Sequence, residues 1–194
     1  MEKIILPATF LLALEEQIHD CIPEVTITRP GKVEGVFEPE TRKLLVFTEA
    51  NGTDSITGQV LLPNSRDSFP HIFIENLTPF NPTGRERRGK RERFNYRDLF
   101  RFEYNIDISP LDRKLVPRLN QELYAMAQNL ARALQYIPYF GAVKKTRPAS
   151  PPAISNGVLH TFLHIEYNES DLPEKHPKVE QLFQRLKLRD DEVI

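Results

Sequence analysis

The residues most suited to binding chemistry lie between Gly84 and Arg93, which reads Gly-Arg-Glu-Arg-Arg-Gly-Lys-Arg-Glu-Arg. Arg85, Arg87, Arg88, Lys90, Arg91 and Arg93 set six positive side chains against Glu86 and Glu92, a local net charge of +4. Nothing in this stretch can be buried, so it predicts a long exposed loop over 83–94. Such a loop can dock on an acidic surface of a neighbouring subunit, contact nucleic-acid phosphates, or simply be solvated. It contains no aromatic side chain for base stacking, and a loop of this kind does not read sequence.

The second candidate is the polar row Arg101, Glu103, Asn105 and Asp107, interleaved with Phe100, Phe102, Tyr104, Ile106 and Ile108. This period of two predicts a strand with one face on a core and the other facing water or a partner. Its charges alternate in sign, which suits pairing with a neighbour in a ring as well as plain hydration.

Other constellations argue against catalysis. His160 and His164 fall on one face of a predicted strand, about 13 Å apart at ~3.3 Å per residue, too far to share a zinc ion. Cys21, with His19 or His71, would be a thiol nucleophile only with a lowered pKa, and a lone cysteine at a helix end is ordinarily an apolar filler. Glu15-Glu16 is expected on a solvated helix face and Asp190-Asp191-Glu192 in a loose tail. Neither place would separate two carboxyl pKa values. The phosphate-loop, dinucleotide, nucleophile-elbow and zinc-protease motifs do not occur in the sequence. The expectation is a non-enzyme without metal or cofactor.

The elements that position these residues follow from periodicity. Phe10, Leu11, Leu14 and Ile18 predict an amphipathic helix over Pro7 to Cys21. Strands are expected at Val25–Thr28, Val33–Phe37, Leu44–Phe47, Gln59–Leu62 and His71–Ile74, with Asn51-Gly52 a turn. A second helix, about Pro117 to Tyr136, carries the stripe Leu119, Leu123, Met126, Leu130, Leu134 and Ile137. Ala142–Thr146 and Val158–Tyr167 predict further strands, the latter entered through the turn Asn156-Gly157. A proline-rich extended connection runs from Arg147 to Ala153, and a short helix over His176 to Leu188 is expected in the tail. Together these predict an α+β fold: a mostly antiparallel sheet with two main helices packed on one face, long extended loops and a short C-terminal helix.

Composition is compatible with that fold. The 194 residues suit one domain, formal net charge is -1, and one cysteine allows no intramolecular disulfide, as expected of assembly in a reducing compartment. No leader peptide and no membrane-length apolar run is visible, so a soluble protein is expected.

The sequence Phe102-Glu-Tyr-Asn-Ile-Asp-Ile, the helix Leu123-Tyr-Ala-Met-Ala-Gln-Asn-Leu-Ala-Arg-Ala-Leu, and Ser155-Asn-Gly-Val-Leu-His-Thr-Phe-Leu-His-Ile-Glu-Tyr follow an amphipathic N-terminal helix. In element order and hydrophobic rhythm this resembles the tail terminator (tail completion) proteins of long-tailed bacteriophages and related contractile injection systems. The resemblance spans most of residues 1–168; the insertion 83–94 and the extension 169–194 depart from it. It implies a structural virion subunit, made in the host bacterial cytoplasm, that forms a homo-oligomeric, hexameric ring at the tail–neck junction. Tail tube and neck or connector proteins would be its partners, and DNA would traverse the lumen without sequence-specific binding. Another neck or baseplate adaptor of a phage-like particle, or a nucleic-acid-binding accessory protein using the basic loop, are the alternatives.

Overall fold

A computed structural model describes residues 2–49, 68–89, 91–106, 116–140, 142–168 and 171, and for residues 2–8, 88 and 91 the backbone alone. Helix α1 (Glu2–Cys21) leads into a two-stranded antiparallel arm, β1 (Glu24–Pro30) and β2 (Phe37–Lys43). There follow β3 (Leu45–Thr48), β4 (His71–Asn76), β5 (Pro82–Arg88), β6 (Arg91–Asn105), α2 (Val116–Ala133), β7 (Tyr136–Tyr139), β8 (Ala142–Pro148), β9 (Ala153–Ser155) and β10 (Val158–Asn168). The protein is therefore α+β, mostly sheet with two helices.

Among the described residues the main sheet has eight strands. Six follow the order β3-β4-β6-β10-β8-β7, while β5 pairs with β6 and β9 with β10. All pairings are antiparallel except β3 with β4. The parallel pair was not anticipated. It needs a crossover, and the chain between these strands includes Asn51-Gly52 and Gln59–Leu62, which lie outside the described residues.

The centre of the sheet is the β6–β10 ladder, in register from Asn95↔Asn168 to Asn105↔Val158. Period two puts Tyr96, Phe100, Phe102 and Tyr104 of β6 in the same layer as Leu159, Leu163, Ile165 and Tyr167 of β10, all buried. With Ile72 and Ile74 of β4 they join one core cluster that includes Phe10, Leu14 and Ile18 of α1 and Leu119, Leu123 and Leu130 of α2. Phe10 stacks on Tyr139 at 4.3 Å between ring centroids and lies 4.8 Å from Tyr167. Offset and tilted aromatic pairs of this kind add about 0.5–1.5 kcal/mol each beyond the area they bury. Thr9 and Tyr139 share a buried hydroxyl–hydroxyl bond of 2.6 Å, and the Gln17 side-chain amide donates to the Ala133 carbonyl at 3.0 Å. These bonds tie α1 to β7 and to the end of α2.

Several boundaries differ from expectation for physical reasons. Residues 33–36 are not a strand: they form the tip of the β1–β2 arm, closed by Gly31 N–H donating to Val36 O at 2.7 Å, with Gly35 at φ 78°. The second helix ends at Ala133, and Ile137 reaches the core from β7 instead of the helix stripe. The Thr146 hydroxyl donates to the Leu134 carbonyl at 2.6 Å and its N–H donates to Gln135 O at 3.1 Å, so β8 supplies partners for the carbonyls where the helix stops. The strand expected at Ala142–Thr146 is β8, which runs on to Pro148, and the extended connection expected from Arg147 to Ala153 is bounded by sheet at both ends, β8 and β9 each pairing with β10. Glu15 is fully buried while Glu16 is exposed, so this pair does not share a solvated face. The turn Asn156-Gly157 is as expected, both residues having positive φ (50° and 74°), as a two-residue hairpin turn requires. The predicted helix over 176–188 and the acidic run 190–192 lie outside the described residues.

Candidate functional site

The basic stretch is not a loop. β5 pairs with β6 as a regular hairpin, with Arg85↔Phe94, Glu86↔Arg93, Arg87↔Glu92 and Arg88↔Arg91 in register around Gly89 and residue 90. Gly89 has φ 66°, the left-handed conformation that a two-residue turn demands and that glycine supplies without steric cost. The sequence concealed the hairpin because both of its faces are wet, so no apolar alternation marks it. Of its described charged side chains Arg85, Glu86, Arg87 and Glu92 are exposed, as expected.

One face of the hairpin is internally organised. The Arg85 guanidinium lies 4.8 Å from the centre of the Phe94 ring, its cross-strand partner, and 3.5 Å from Glu92. A cation over an aromatic face contributes roughly 0.5–1 kcal/mol when exposed. Glu92 is thereby engaged by Arg85. At the apex the register sets Arg88 directly opposite Arg91, with Lys90 between them in sequence and itself outside the described residues. Arg87 is exposed and Arg93 half-buried.

The root of the hairpin is firmly held. Asp98 stands in the apolar phase of β6, between Tyr96 and Phe100, and is fully buried. Its carboxylate accepts from the Asn76 amide at 2.8 Å, the Tyr167 hydroxyl at 3.1 Å and the Asn81 N–H at 3.3 Å. Burial pushes the Asp98 carboxyl above its ordinary range, and these hydrogen bonds pull the other way without cancelling the shift. Burial and then the neighbouring Asp98 charge raise Tyr167 as well, so its hydroxyl keeps its proton and donates. Asn81 O accepts from Arg97 N–H at 2.8 Å, and Phe80 (φ 57°) packs edge-on to Tyr96. Asp98 was missed in the sequence reading, although a carboxylate in phase with a row of aromatics is itself a signal of a buried polar cluster.

The polar row farther along β6 faces the opposite side of the strand from the core. Arg101 reaches Glu75 of β4 in a short ion pair and Glu103 at 3.3 Å, and His160 Nδ1 of β10 lies 3.5 Å from Glu103. Arg97 meets Glu166 at 2.7 Å, with Arg147 at 4.0 Å from the same oxygen. Arg101 and Glu103 therefore pair across their own sheet. Asn105 is half-buried opposite Val158 and His71, and Asp107 lies outside the described residues. Arg93 and Arg101 are eight residues apart on one strand, about 26 Å, so hairpin and polar row are two places, not one site.

His160 and His164 both lie off the core side of β10, and among the described residues no group of three histidine, cysteine or acidic side chains is arranged to hold a metal. Cys21 is exposed, with the Gln17 amide 3.4 Å from its sulfur. His71 is buried beside the rings of Phe47 and Phe69, with Nδ1 2.7 Å from Ser68 O. Burial pushes its pKa down.

A further feature escaped the sequence reading: the clamp that holds the β1–β2 arm. Glu122 of α2 accepts from the Thr28 N–H at 3.2 Å and from the Thr28 hydroxyl in a short bond. Beyond it the arm carries Val33 and Val36, exposed at its tip.

The chain matches no protein-family model and no curated protein sequence. No described helix is long and apolar enough to cross a membrane.

Proposed function

We propose that this protein is a structural subunit of a phage-like tail: a tail terminator whose copies close into a hexameric ring on the tail tube and join it to the neck or connector. The observation that carries this reading is the pair of ordered β arms, β1–β2 and β5–β6, on a sheet-and-helix body. In the proposed subunit α1 and α2 cover the same face of the sheet. Their side chains share one cluster with the alternating residues of β4, β6 and β10, which supports that arrangement. A ring needs a heterologous contact, in which one surface of each copy meets a different surface of the next, and a projecting arm suits that geometry. The sequence resemblance in element order supplies the rest: location at the tail–neck junction of the virion, synthesis in the bacterial cytoplasm, and DNA passing through the lumen without sequence readout. The work is done by binding, not catalysis.

The test is the mass of the purified protein by light scattering across a concentration series, with electron micrographs of the assembled species. Closed rings, formed alone or on added tail tubes, are the expected result. A strict monomer indifferent to tubes, yet binding DNA in a steeply salt-dependent way, would replace this reading with a nucleic-acid accessory role for the hairpin.

A further inference from the structure

Two exposed apolar places stand at opposite ends of α2. The first is the tip of the β1–β2 arm, where Val33 and Val36 are 66% and 44% exposed. Backbone bonds close this tip, Gly31 N–H to Val36 O at 2.7 Å and Val36 N–H to Val33 O at 3.0 Å, so neither valine side chain is needed to form it. Polar residues and glycine ordinarily fill such a turn. The second place is the outer face of the β7–β8 hairpin. Register sets Tyr136 opposite Lys145 and Pro138 opposite Val143, so these four share one face while Ile137 and Tyr139 turn to the core. Tyr136 is 52% and Val143 65% exposed, and Pro138 is exposed beside them. Single exposed apolar side chains need no explanation, but a contiguous group of them marks a contact surface.

The path of the chain keeps the two places apart within one copy. The last turns of α1 meet the end of α2, the Gln17 amide donating to Ala133 O at 3.0 Å. β1 then carries the chain to Thr28, held by Glu122, which precedes Ala133 by eleven residues. That is about 16 Å back along the helix at ~1.5 Å per residue. The arm therefore runs toward the N-terminal end of α2, whereas β7 begins at Tyr136, past the C-terminal end. Val33 is five residues beyond Thr28, a reach of at most about 18 Å, directed away from its own β7–β8 hairpin. Charge differs between the two places as well. Residues 31–38 carry Lys32, Glu34 and Glu38, a net -1, and residues 136–148 carry Lys144, Lys145 and Arg147, a net +3. Asp171 holds Lys144 and Glu166 lies 4.0 Å from Arg147, while no ion pair among the described residues engages Glu34 or Lys145, both exposed.

We propose that the tip of the β1–β2 arm docks on the outer face of the β7–β8 hairpin of a second copy of this chain. Val33 and Val36 cover Tyr136, Pro138 and Val143, and the acids Glu34 and Glu38 meet Lys145. The match is apolar at the centre and opposite in charge at the rim, the usual anatomy of a protein–protein contact. The Tyr136 ring supplies a large, rigid contact area with its hydroxyl left at the wet edge. Because Glu122 already fixes the arm through Thr28, little further ordering is lost on docking. The contact is head-to-tail: each copy gives an arm at one end and receives one at the other, so it propagates and closes a ring. It rests on the proposed ring reading and names the contact that would link its subunits.

Substitutions at these exposed positions of the full-length protein test it. V33S/V36S and Y136S/V143S are each expected to weaken self-association, read by light scattering, at least roughly tenfold. E34K/E38K is expected to weaken it too, and K145E added to that chain to restore part of the loss, because the reversed charges again match. Circular dichroism and thermal unfolding of each variant confirm that the fold is kept. Self-association of V33S/V36S or of Y136S/V143S equal to wild type overturns the proposal, as does a triple variant that associates no better than E34K/E38K. Loss of binding to added tail tubes in V33S/V36S with self-association unchanged also overturns it, in favour of the tube as occupant of the arm. If the wild type forms rings and both serine pairs leave them intact, the ring reading stands and this contact falls. If the wild type never associates, alone or with tubes, both fall.

Discussion

Replacing Asp98 by alanine tests whether the buried cluster at the root of the hairpin holds that part of the sheet together. The substitution leaves three buried donors, the Asn76 amide, the Tyr167 hydroxyl and the Asn81 N–H, without the acceptor they share. At the lower end of the cost of an unsatisfied buried donor, about 1 kcal/mol each, the loss is ~3 kcal/mol. With a urea slope of about 2 kcal/mol per M, the unfolding midpoint drops by ~1.5 M. The pH dependence fixes the mechanism. Burial holds the folded-state pKa of Asp98 above the ordinary carboxyl value of about 3.9. Between that value and the raised one the folded state binds more protons than the unfolded state, so stability is greatest in acid and is lost as pH rises through the folded pKa. Alanine has no such slope. The deficit of Asp98→Ala relative to wild type should therefore be larger near pH 4 than near pH 7. Urea titrations of both proteins at the two pH values measure it. A deficit that grows toward neutral pH would mean that the ionised carboxylate is net stabilising and would refute the reasoning; one below about 0.5 kcal/mol at both would show that the cluster is not a constraint.

Three other outcomes are expected. His71 has its folded pKa depressed by burial, so the stability it lends is present above about pH 6.5 and is lost as pH falls through the folded value; His71→Gln should flatten the stability–pH curve between about pH 7 and 5. Glu122→Ala removes the acceptor of both Thr28 donors and should cost about 1 kcal/mol, with amide exchange at Thr28 and along β1 accelerating more than in the β6–β10 ladder. Gly157→Ala places a side chain at φ 74° in the β9–β10 turn and should lower stability by about 1 kcal/mol in thermal unfolding, without altering the mass of the assembled species.

Where burial is one-sided, the sequence was readable. The alternation Phe100–Ile106, the stripe Leu119–Leu130 and the turn Asn156-Gly157 each translate directly into the structure, because one face meets a core and the other does not. The basic hairpin was hidden for the opposite reason. With both faces hydrated, β5 leaves no period-two trace, and only Gly89 marks the turn. β7 was lost to the helix stripe because Ile137 continues the helical spacing of apolar residues although the chain has already left the helix at Ala133. The clamp of Glu122 on Thr28 spans 94 residues of sequence and the Asp98–Tyr167 bond spans 69, distances at which a single sequence carries no pairing signal. Of the candidate site, the residue types were legible; the cross-strand contacts of Arg101 with Glu75 and of Glu103 with His160 were not.

β6 is one uninterrupted strand whose first residues build the projecting hairpin and whose last residues lie in the middle of the core. No linker separates the two, so the hairpin behaves as a cantilever clamped in the β6–β10 ladder. A load applied at its apex is borne as shear by the eleven registered pairs from Asn95↔Asn168 to Asn105↔Val158, acting together. In the proposed ring, force on this arm would pass straight into the β6–β10 layer, where yielding requires many hydrogen bonds to fail at once instead of one hinge to turn.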